Sequence, residues 1–205
     1  MRITRTTARK VLEVVDAGLV KGLGKPVPGQ MCVEAAVCYA LGLPHGDEPD
    51  CVSPALRSLK IALNDADWSS NAARAAGLRK LAILQLGTAE GFDEKEFFTR
   101  VALFVGQTIL ADCFTELAAS HAWTPEHLSD LTAAAAALRT IKTLSELESA
   151  ARSSRSAAES AALSVEWSVE SAERARDKVL AIFAEGVAQI LIAMGVQSAK
   201  WLGLL

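Results

Sequence analysis

The 205-residue sequence contains few aromatic residues and few prolines, and both shortages bear on the fold class. Phe, Trp and Tyr together make up 5% of the chain, with a single Tyr, and there are six prolines. β-Strands favour β-branched and aromatic side chains, whereas Ala and Leu, which are abundant here, favour helices. The composition therefore predicts an all-α protein. Because 51% of the residues are apolar, the chain can bury a sizeable core without disulfides or structural metals.

The sequence also lacks a long hydrophobic run and a concentration of charge of one sign. No segment reaches the roughly 18 consecutive apolar residues of a membrane-spanning helix, and the start of the chain has no secretory signal. The formal net charge is -3 and the basic residues are not gathered on one segment, which disfavours nucleic-acid binding. We therefore expect a cytoplasmic protein that binds neither membranes nor nucleic acid, and whose four cysteines are free thiols.

Capping residues mark where several helices begin and end. Cys32 to Leu41 has the length and apolar content of a short buried helix, and Gly42 followed by Pro44 ends it. The helix that begins after Asp93 extends toward Ala119, and its apolar residues are dense enough to predict a buried central helix. Further helices are predicted to begin after Ser53-Pro54, after Ser69 or Ser70, and after Thr124.

Pro125 and Gly186 bound a stretch without any glycine or proline. An unbroken helix of that length would extend about 90 Å, which is too long for a compact domain of this size. We therefore predict two helices with a break in the Ser-rich segment 149–156, where serine side chains compete with helical hydrogen bonds. Thr143 and Glu146 have the spacing of a capping box that can restart a helix.

The C-terminal region is rich in Ala and Ser and is predicted to form a long helix of the coiled-coil type. The predicted architecture is a bundle of six to eight helices, with an N-terminal helical domain at 1–123 and this long-helix region at 124–205. Small residues at intervals of three and four allow two helix axes to approach closely, either in a packed core or at a seam between subunits. We expect a homo-oligomer whose seam contains Val165, Val169, Ala172, Leu202 and Leu204.

Cys32 is the candidate nucleophile. It lies at the start of a predicted helix, two residues after Gln30, and a helix N-terminus lowers the pKa of a thiol. This arrangement invites comparison with the papain-like cysteine hydrolases, although those enzymes place the glutamine further upstream and bring a histidine base on a later strand. A cysteine-dependent hydrolase that uses Cys32 is the alternative function, and packing of this thiol in the core is the interpretation we favour.

The spacing of the Cys and His residues does not suit zinc. Cys32, Cys38, His45 and Cys51 follow one another at intervals of six, seven and six residues. Zinc ligands usually come in pairs separated by about two to four residues, so that one turn presents both. Residues six apart on a helix point to faces about 120° apart. We therefore expect no metal and no cofactor.

The segments on either side of the 32–41 helix form the candidate binding site. Free backbone N–H groups at the start of this helix lie beside Gln30, and the loop 44–50 can fold back over it. Two loops that meet at a helix start can hold a small polar or anionic ligand or a loop of a partner protein. Alternatively, they only connect core helices. The predicted ligand-binding residues are Gln30, Cys32, Glu34, His45, Asp47 and Glu48.

Three segments carry a resemblance: PVPGQMCVEAAVCYALGLPHGDEP, LRSLKIALNDADWSSN and GLRKLAILQLGT. They resemble a family of bacterial and bacteriophage-encoded proteins of uncharacterised function. In that family an Ala-rich middle tract of variable length precedes a closing segment similar to 183–202. The resemblance implies no activity, cofactor or catalytic residue, but a middle tract that tolerates changes of length implies a spacer or assembly element. Together these features predict a non-enzymatic binding or assembly module that self-associates.

Overall fold

The computed structural model describes residues 3–120, 123–153 and 169–205. It is 70% helical, and the described residues contain no β-strand, only an isolated bridge between Gly24 and Met31. The predicted all-α class is therefore confirmed. The helices are α1 (Arg5–Asp16), α2 (Val33–Leu41), α3 (Pro54–Asn64), α4 (Asn71–Leu84), α5 (Glu94–Phe104), a π-helical segment (Val105–Leu110), α6 (Ala111–Ser120), α7 (Pro125–Thr140), α8 (Leu144–Ser153), α9 (Val169–Ala193) and a 3₁₀ helix (Gln197–Leu204).

The predicted capping residues open and close these helices. The side chains of Ser53, Ser70 and Thr124 each accept a hydrogen bond from the backbone N–H three residues later. Asp93 does the same for the N–H of Glu96, at 2.9 Å. Gly42 ends α2 with a φ of 72°, a left-handed conformation that glycine adopts without the steric cost of a side chain. These local signals were therefore sufficient to predict where these four helices begin and where α2 ends.

The described residues divide into two compact units. The first comes from the ranges Met1–Phe97 and Glu170–Leu205, and the second from Phe98–Val169. In the first unit α1 packs against α2 and α4. The core of this unit includes Val11 and Val15 of α1 and Leu19, which follows that helix, and all three are completely buried.

The C-terminal segment belongs to the first unit because it is attached to α4. Ser198 Oγ donates a hydrogen bond of 2.6 Å to the carbonyl of Leu84. Lys80 Nζ lies 2.7 Å from Glu185 Oε1, and the 3₁₀ helix packs against α4. The boundaries of the two units therefore differ from the predicted division into 1–123 and 124–205.

The second unit contains a small apolar cluster of Ala111, Leu138, Ile141 and Ala150. Gly106, in the π-helical segment, lies against this cluster. A Cβ built on Gly106 would lie 2.5 Å from a Leu147 side-chain carbon and 2.8 Å from one of Ile141. The absence of a side chain at this position is therefore what allows the close approach.

The helical region after Pro125 breaks earlier than predicted. α7 ends at Thr140, and α8 begins with the capping box: the N–H of Glu146 donates to Thr143 Oγ1 at 3.2 Å, and the Glu146 carboxylate accepts from the N–H of Thr143 at 3.2 Å. The predicted break in 149–156 is wrong for residues 149–153, which are helical. Ser153 Oγ donates to the carbonyl of Ala150, so the side chain of this serine hydrogen-bonds to the backbone of its own helix. The remainder of the predicted break lies outside the described residues.

The stretch Glu94–Ala119 is long and apolar enough to cross a membrane by length and composition alone, and 22% of its most apolar window is buried. Phe98 and Leu110 are exposed by 50% and 38%. The prediction of a buried central helix is therefore wrong. Apolar residues distributed around a helix cannot all face one core, so their density overestimated burial here.

The predicted oligomer seam lies only partly within the described residues. Val165 and most of the Ala/Ser-rich tract lie outside them. Val169 and Ala172 belong to α9, while Leu202 and Leu204 lie on the 3₁₀ helix and are half-buried. The described residues form nine α-helices rather than six to eight. The long coiled-coil helix and the seam stay predictions.

Candidate functional site

A buried ion pair joins α2 to α3 in the first unit. Lys60 Nζ lies 2.9 Å from Glu34 Oε1, and the side chains of both residues are completely buried. Glu34 is in the first turn of α2, and Lys60 is on the buried face of α3 with Leu56 and Leu63. The two groups attract each other as opposite charges, and neither makes a hydrogen bond to any further described residue.

Burial opposes the charged form of both partners. It raises the pKa of Glu34, and the nearby Lys60 ammonium offsets part of this effect. Burial lowers the pKa of Lys60, and the Glu34 carboxylate again offsets part of it. A pair of this kind is costly to remove from water and therefore contributes little net stability. Buried ionisable groups of this type are common at functional sites, which makes the pair the natural centre of a search for one.

Asn64 and Arg74 fix the backbone around the ion pair. Asn64 Oδ1 accepts a hydrogen bond of 3.2 Å from the N–H of Val33, and its amide nitrogen donates to the carbonyl of Val20 at 2.9 Å. Arg74 Nε donates to the carbonyl of Asn64 at 2.7 Å, and a second nitrogen donates to the carbonyl of Leu19 at 3.3 Å. Asn64 and Arg74 are both buried. The start of α2 and the end of α3 are therefore held together by buried polar contacts.

The three cysteines near this pair are buried thiols. Cys32 is the N-cap of α2, and its Sγ accepts a hydrogen bond of 3.3 Å from the N–H of Ala35. Burial raises the pKa of Cys32, and it raises the pKa of Cys51 in the same way. Burial, together with the negative charge of Glu34, raises the pKa of Cys38 to about 11. These thiols are therefore protonated at neutral pH, which is the opposite of what a cysteine nucleophile requires.

A small cavity of about 30 Å³ lies beside the ion pair and is lined by Cys32, Glu34 and Asp47 together with residues of the 22–23 and 61–65 segments. A cavity of this size holds about one water molecule. It is too small for an organic ligand. The cavity shows, however, that the start of α2 and the 44–50 loop do meet, as the sequence predicted.

The 44–50 loop encloses a separate open depression of about 390 Å³ that also reaches Cys38 and Leu43. The loop is attached to its surroundings by side chains at two points. His45 Nε2 lies 3.2 Å from the carbonyl oxygen of Gly24, and Glu48 Oε1 lies 2.7 Å from Arg57 Nη1. The Asp47 carboxylate is partly exposed and Asp50 is exposed, and neither forms an ion pair within the described ranges.

The predicted site residues therefore fall into three groups. Cys32, Glu34 and Asp47 meet at the small cavity. His45 and Glu48, with Asp47, line the open depression. Gln30 is exposed, its backbone bonds to Lys25 and Val27, and it lines neither space. These placements describe the geometry only, and ligand binding by the six residues stays a prediction.

Sequence analysis missed Lys60. Its position carried a signal, because Leu56, Lys60 and Leu63 recur at the spacing of one helical face. A lysine on the apolar face of a helix indicates a buried ammonium group that needs an acidic partner. One sequence does not identify which carboxylate is that partner.

Comparisons with known proteins yielded no relatives. No protein-family model, no curated protein and no solved structure matches the chain. The resemblance to bacterial and bacteriophage-encoded proteins therefore stays a prediction. The residues that the structure describes include no group of three or more His, Cys, Asp or Glu side chains placed to hold a metal ion.

Proposed function

We propose that this protein is a non-catalytic binding and assembly module, and that the 44–50 loop contacts a positively charged segment of a partner protein. The observation that carries the proposal is an anchored loop that surrounds an open depression and is lined by acidic residues. Two of these, Asp47 and Asp50, have no ion-pair partner among the described residues. A cationic segment would neutralise them. Electrostatic complementarity of this kind sets specificity and association rate more than raw affinity.

The chemistry of the thiols supports binding over catalysis. The cysteine-hydrolase alternative needs a Cys32 thiolate and a histidine within hydrogen-bond reach. Burial favours the thiol form of Cys32, its Sγ is engaged by the N–H of Ala35, and the His45 ring is directed to the carbonyl of Gly24. No observation favours the hydrolase.

The anchoring of the loop supports a preformed site. Pro49 is buried, and its carbonyl accepts a hydrogen bond of 3.1 Å from the N–H of Val52. At the other end, the N–H of Leu43 donates to the carbonyl of Cys38 at 2.9 Å. A loop fixed at both ends loses little further conformational entropy when a partner binds. The buried ion pair adds to this rigidity, because it fixes α2 against α3, the two helices that the loop connects.

Self-association belongs to the same proposal. Leu205 is exposed by 47%, and the half-buried Leu202 and Leu204 lie beside it on the chain. An apolar end of this kind suits a contact with a second copy better than contact with water. The predicted stripe with Val169 and Ala172 would extend that contact along α9.

Chemical-shift mapping by NMR tests the loop directly. An arginine-rich peptide should shift the backbone amide signals of residues 44–50 and leave those of the second unit unchanged. The variant Asp47→Asn with Asp50→Asn removes the two carboxylates without an ion-pair partner, keeps the contact between Glu48 and Arg57, and should lose the response. The control variant Glu13→Gln with Glu126→Gln changes the net charge equally at exposed helical positions and should retain it. Shifts spread over the whole surface, or an equal loss in the control variant, would show that the peptide responds only to net charge.

A further inference from the structure

A third cavity in the first unit lies apart from the ion pair and opens to solvent. Its volume is about 370 Å³, within the range of small-molecule sites. Its wall comes from four regions that are distant in the sequence: Ile3, residues 50–51, the turn 86–90 after α4, and the 3₁₀ helix. The convergence of these regions produces a concave, partly enclosed space.

The floor of this cavity is fixed by backbone hydrogen bonds. The carbonyl oxygen of Cys51 accepts from the N–H of Gly87 at 2.9 Å and from the N–H of Ala89 at 3.1 Å. The wall formed by the 3₁₀ helix is held by the hydrogen bond from Ser198 Oγ to the carbonyl of Leu84, and Ser198 is buried. A ligand would therefore meet a preformed space.

Residues with charges of both signs line this space. Asp50 and Glu90 are acidic, and Lys200 is basic. Lys200 Nζ lies 4.9 Å from the centroid of the Trp201 ring, so the cation is held against the aromatic face. Acidic groups, a cation and an aromatic surface within one cavity complement a molecule that carries an amine, a carboxylate and an apolar part.

We infer that this cavity is a binding site for a small amphoteric molecule of the amino-acid class. The ligand amine pairs with Asp50 and Glu90, its carboxylate pairs with Lys200, and its apolar part lies on Trp201. The site shares Asp50 with the 44–50 loop, but Glu90, Lys200 and Trp201 lie outside that loop and line this cavity alone, so the inference does not depend on the proposed function. Charge-assisted hydrogen bonds of this kind are roughly twice as strong as neutral ones.

Saturation-transfer difference NMR on the full chain, with the common amino acids as probes at millimolar concentration, tests this inference. At least one amino acid should receive saturation, while its decarboxylated amine and its deaminated acid should bind at least about tenfold more weakly, because each lacks one charge-assisted contact. Absence of transfer to every amino acid would overturn the inference. Equal binding of the amine or of the acid would overturn the amphoteric class.

Variants separate this site from a general charge effect. Lys200→Gln and Glu90→Gln should each weaken binding about tenfold, by loss of one charge-assisted contact. The matched control is Lys10→Gln, since Lys10 Nζ also lies over an aromatic ring, 5.7 Å from the Tyr39 centroid. Lys10→Gln and a variant with Asp47→Asn and Glu48→Gln should leave the affinity unchanged. An equal loss in either control would overturn the inference.

Discussion

Lys60 Nζ lies 2.9 Å from Glu34 Oε1, and neither side chain has any exposed surface. This pair connects α2 to α3, and Glu34 is itself one of the residues of the predicted binding site. Its energetic role follows from desolvation: two charges are withdrawn from water and compensated mainly by each other. The first two predictions measure that compensation.

A double-mutant cycle should show that each charge depends on its partner. Lys60→Met leaves a buried carboxylate without a counter-charge and should lower the free energy of unfolding by about 3–5 kcal/mol. Lys60→Met combined with Glu34→Met should recover that loss and be neutral or stabilising by about 1–4 kcal/mol. Urea unfolding followed by circular dichroism provides the measurement.

The matched control for this cycle is the partly exposed pair between Lys80 and Glu185, at 2.7 Å. Lys80→Met should cost less than about 1 kcal/mol because solvent screens the pair. Similar losses for Lys60→Met and Lys80→Met would contradict the role assigned to burial.

The pH dependence of stability should differ between the wild type and the Glu34→Met, Lys60→Met variant. The pKa of folded Glu34 is raised above its ordinary 4.5, so the wild type loses stability relative to the variant as pH rises from 4.5 through the folded value. The pKa of folded Lys60 is lowered below its ordinary 10.5, so the wild type also loses stability as pH falls from 10.5 through the folded value. The stability of the variant should therefore exceed that of the wild type by the largest amount near neutral pH and by the smallest amount near pH 4.5 and 10.5. Thermal unfolding across this range would contradict the account if the gain were largest at the two ends.

The thiols should react in two classes. Burial raises the pKa of Cys38 to about 11. At pH 7 a thiol with this pKa has a thiolate fraction of about 1 in 10,000. Cys113 is the exposed cysteine, although partial burial and the neighbouring Glu116 and Asp112 raise its pKa too. Titration with a disulfide reagent should modify Cys113 first and the three buried thiols only on unfolding, and Cys113→Ser should remove the early phase. Rapid alkylation of Cys32 in the native protein would instead favour the hydrolase alternative.

Self-association should be visible in the mass of the protein in solution. Light scattering coupled to size exclusion should give a multiple of the 21.7 kDa chain mass. Leu205→Glu combined with Val169→Glu should shift the protein toward the monomer, because Val169 belongs to the predicted seam and Leu205 is the exposed residue next to Leu204. Leu128→Glu, at a position exposed by 41% in the second unit, is the control. A monomer for the wild type at micromolar concentration would contradict this part of the proposal.

Local signals predicted the fold better than the site. The helix starts at Ser53, Ser70 and Thr124 follow from side-chain geometry within one turn, so a single sequence was sufficient. Two signals competed for the position of the break after α7: the capping box at Thr143 and the Ser-rich segment that follows it. The prediction from composition chose the Ser-rich segment, whereas the break lies at the capping box.

The site depended on contacts between distant parts of the chain. The sequence grouped Cys32, Glu34 and Asp47 because they lie in segments at the two ends of one short helix, and the three residues do line one small cavity. Lys60 was missed because its partner lies 26 positions earlier in the sequence, on another helix. The exposed face of the Glu94–Ala119 stretch was missed for a related reason, since burial depends on what packs against a helix and not on its own composition.

The central claim is that the 44–50 loop binds a positively charged partner segment, and fluorescence anisotropy of a labelled arginine-rich peptide tests it most directly. The wild type should bind this peptide and not a glutamate-rich peptide of equal length, and affinity should fall as salt is added. The loop variant Asp47→Asn with Asp50→Asn should weaken binding about fivefold, as loss of two solvent-accessible charge contacts implies. The Glu13→Gln, Glu126→Gln control should bind as the wild type does. Equal affinity of the loop variant and the wild type would contradict the claim.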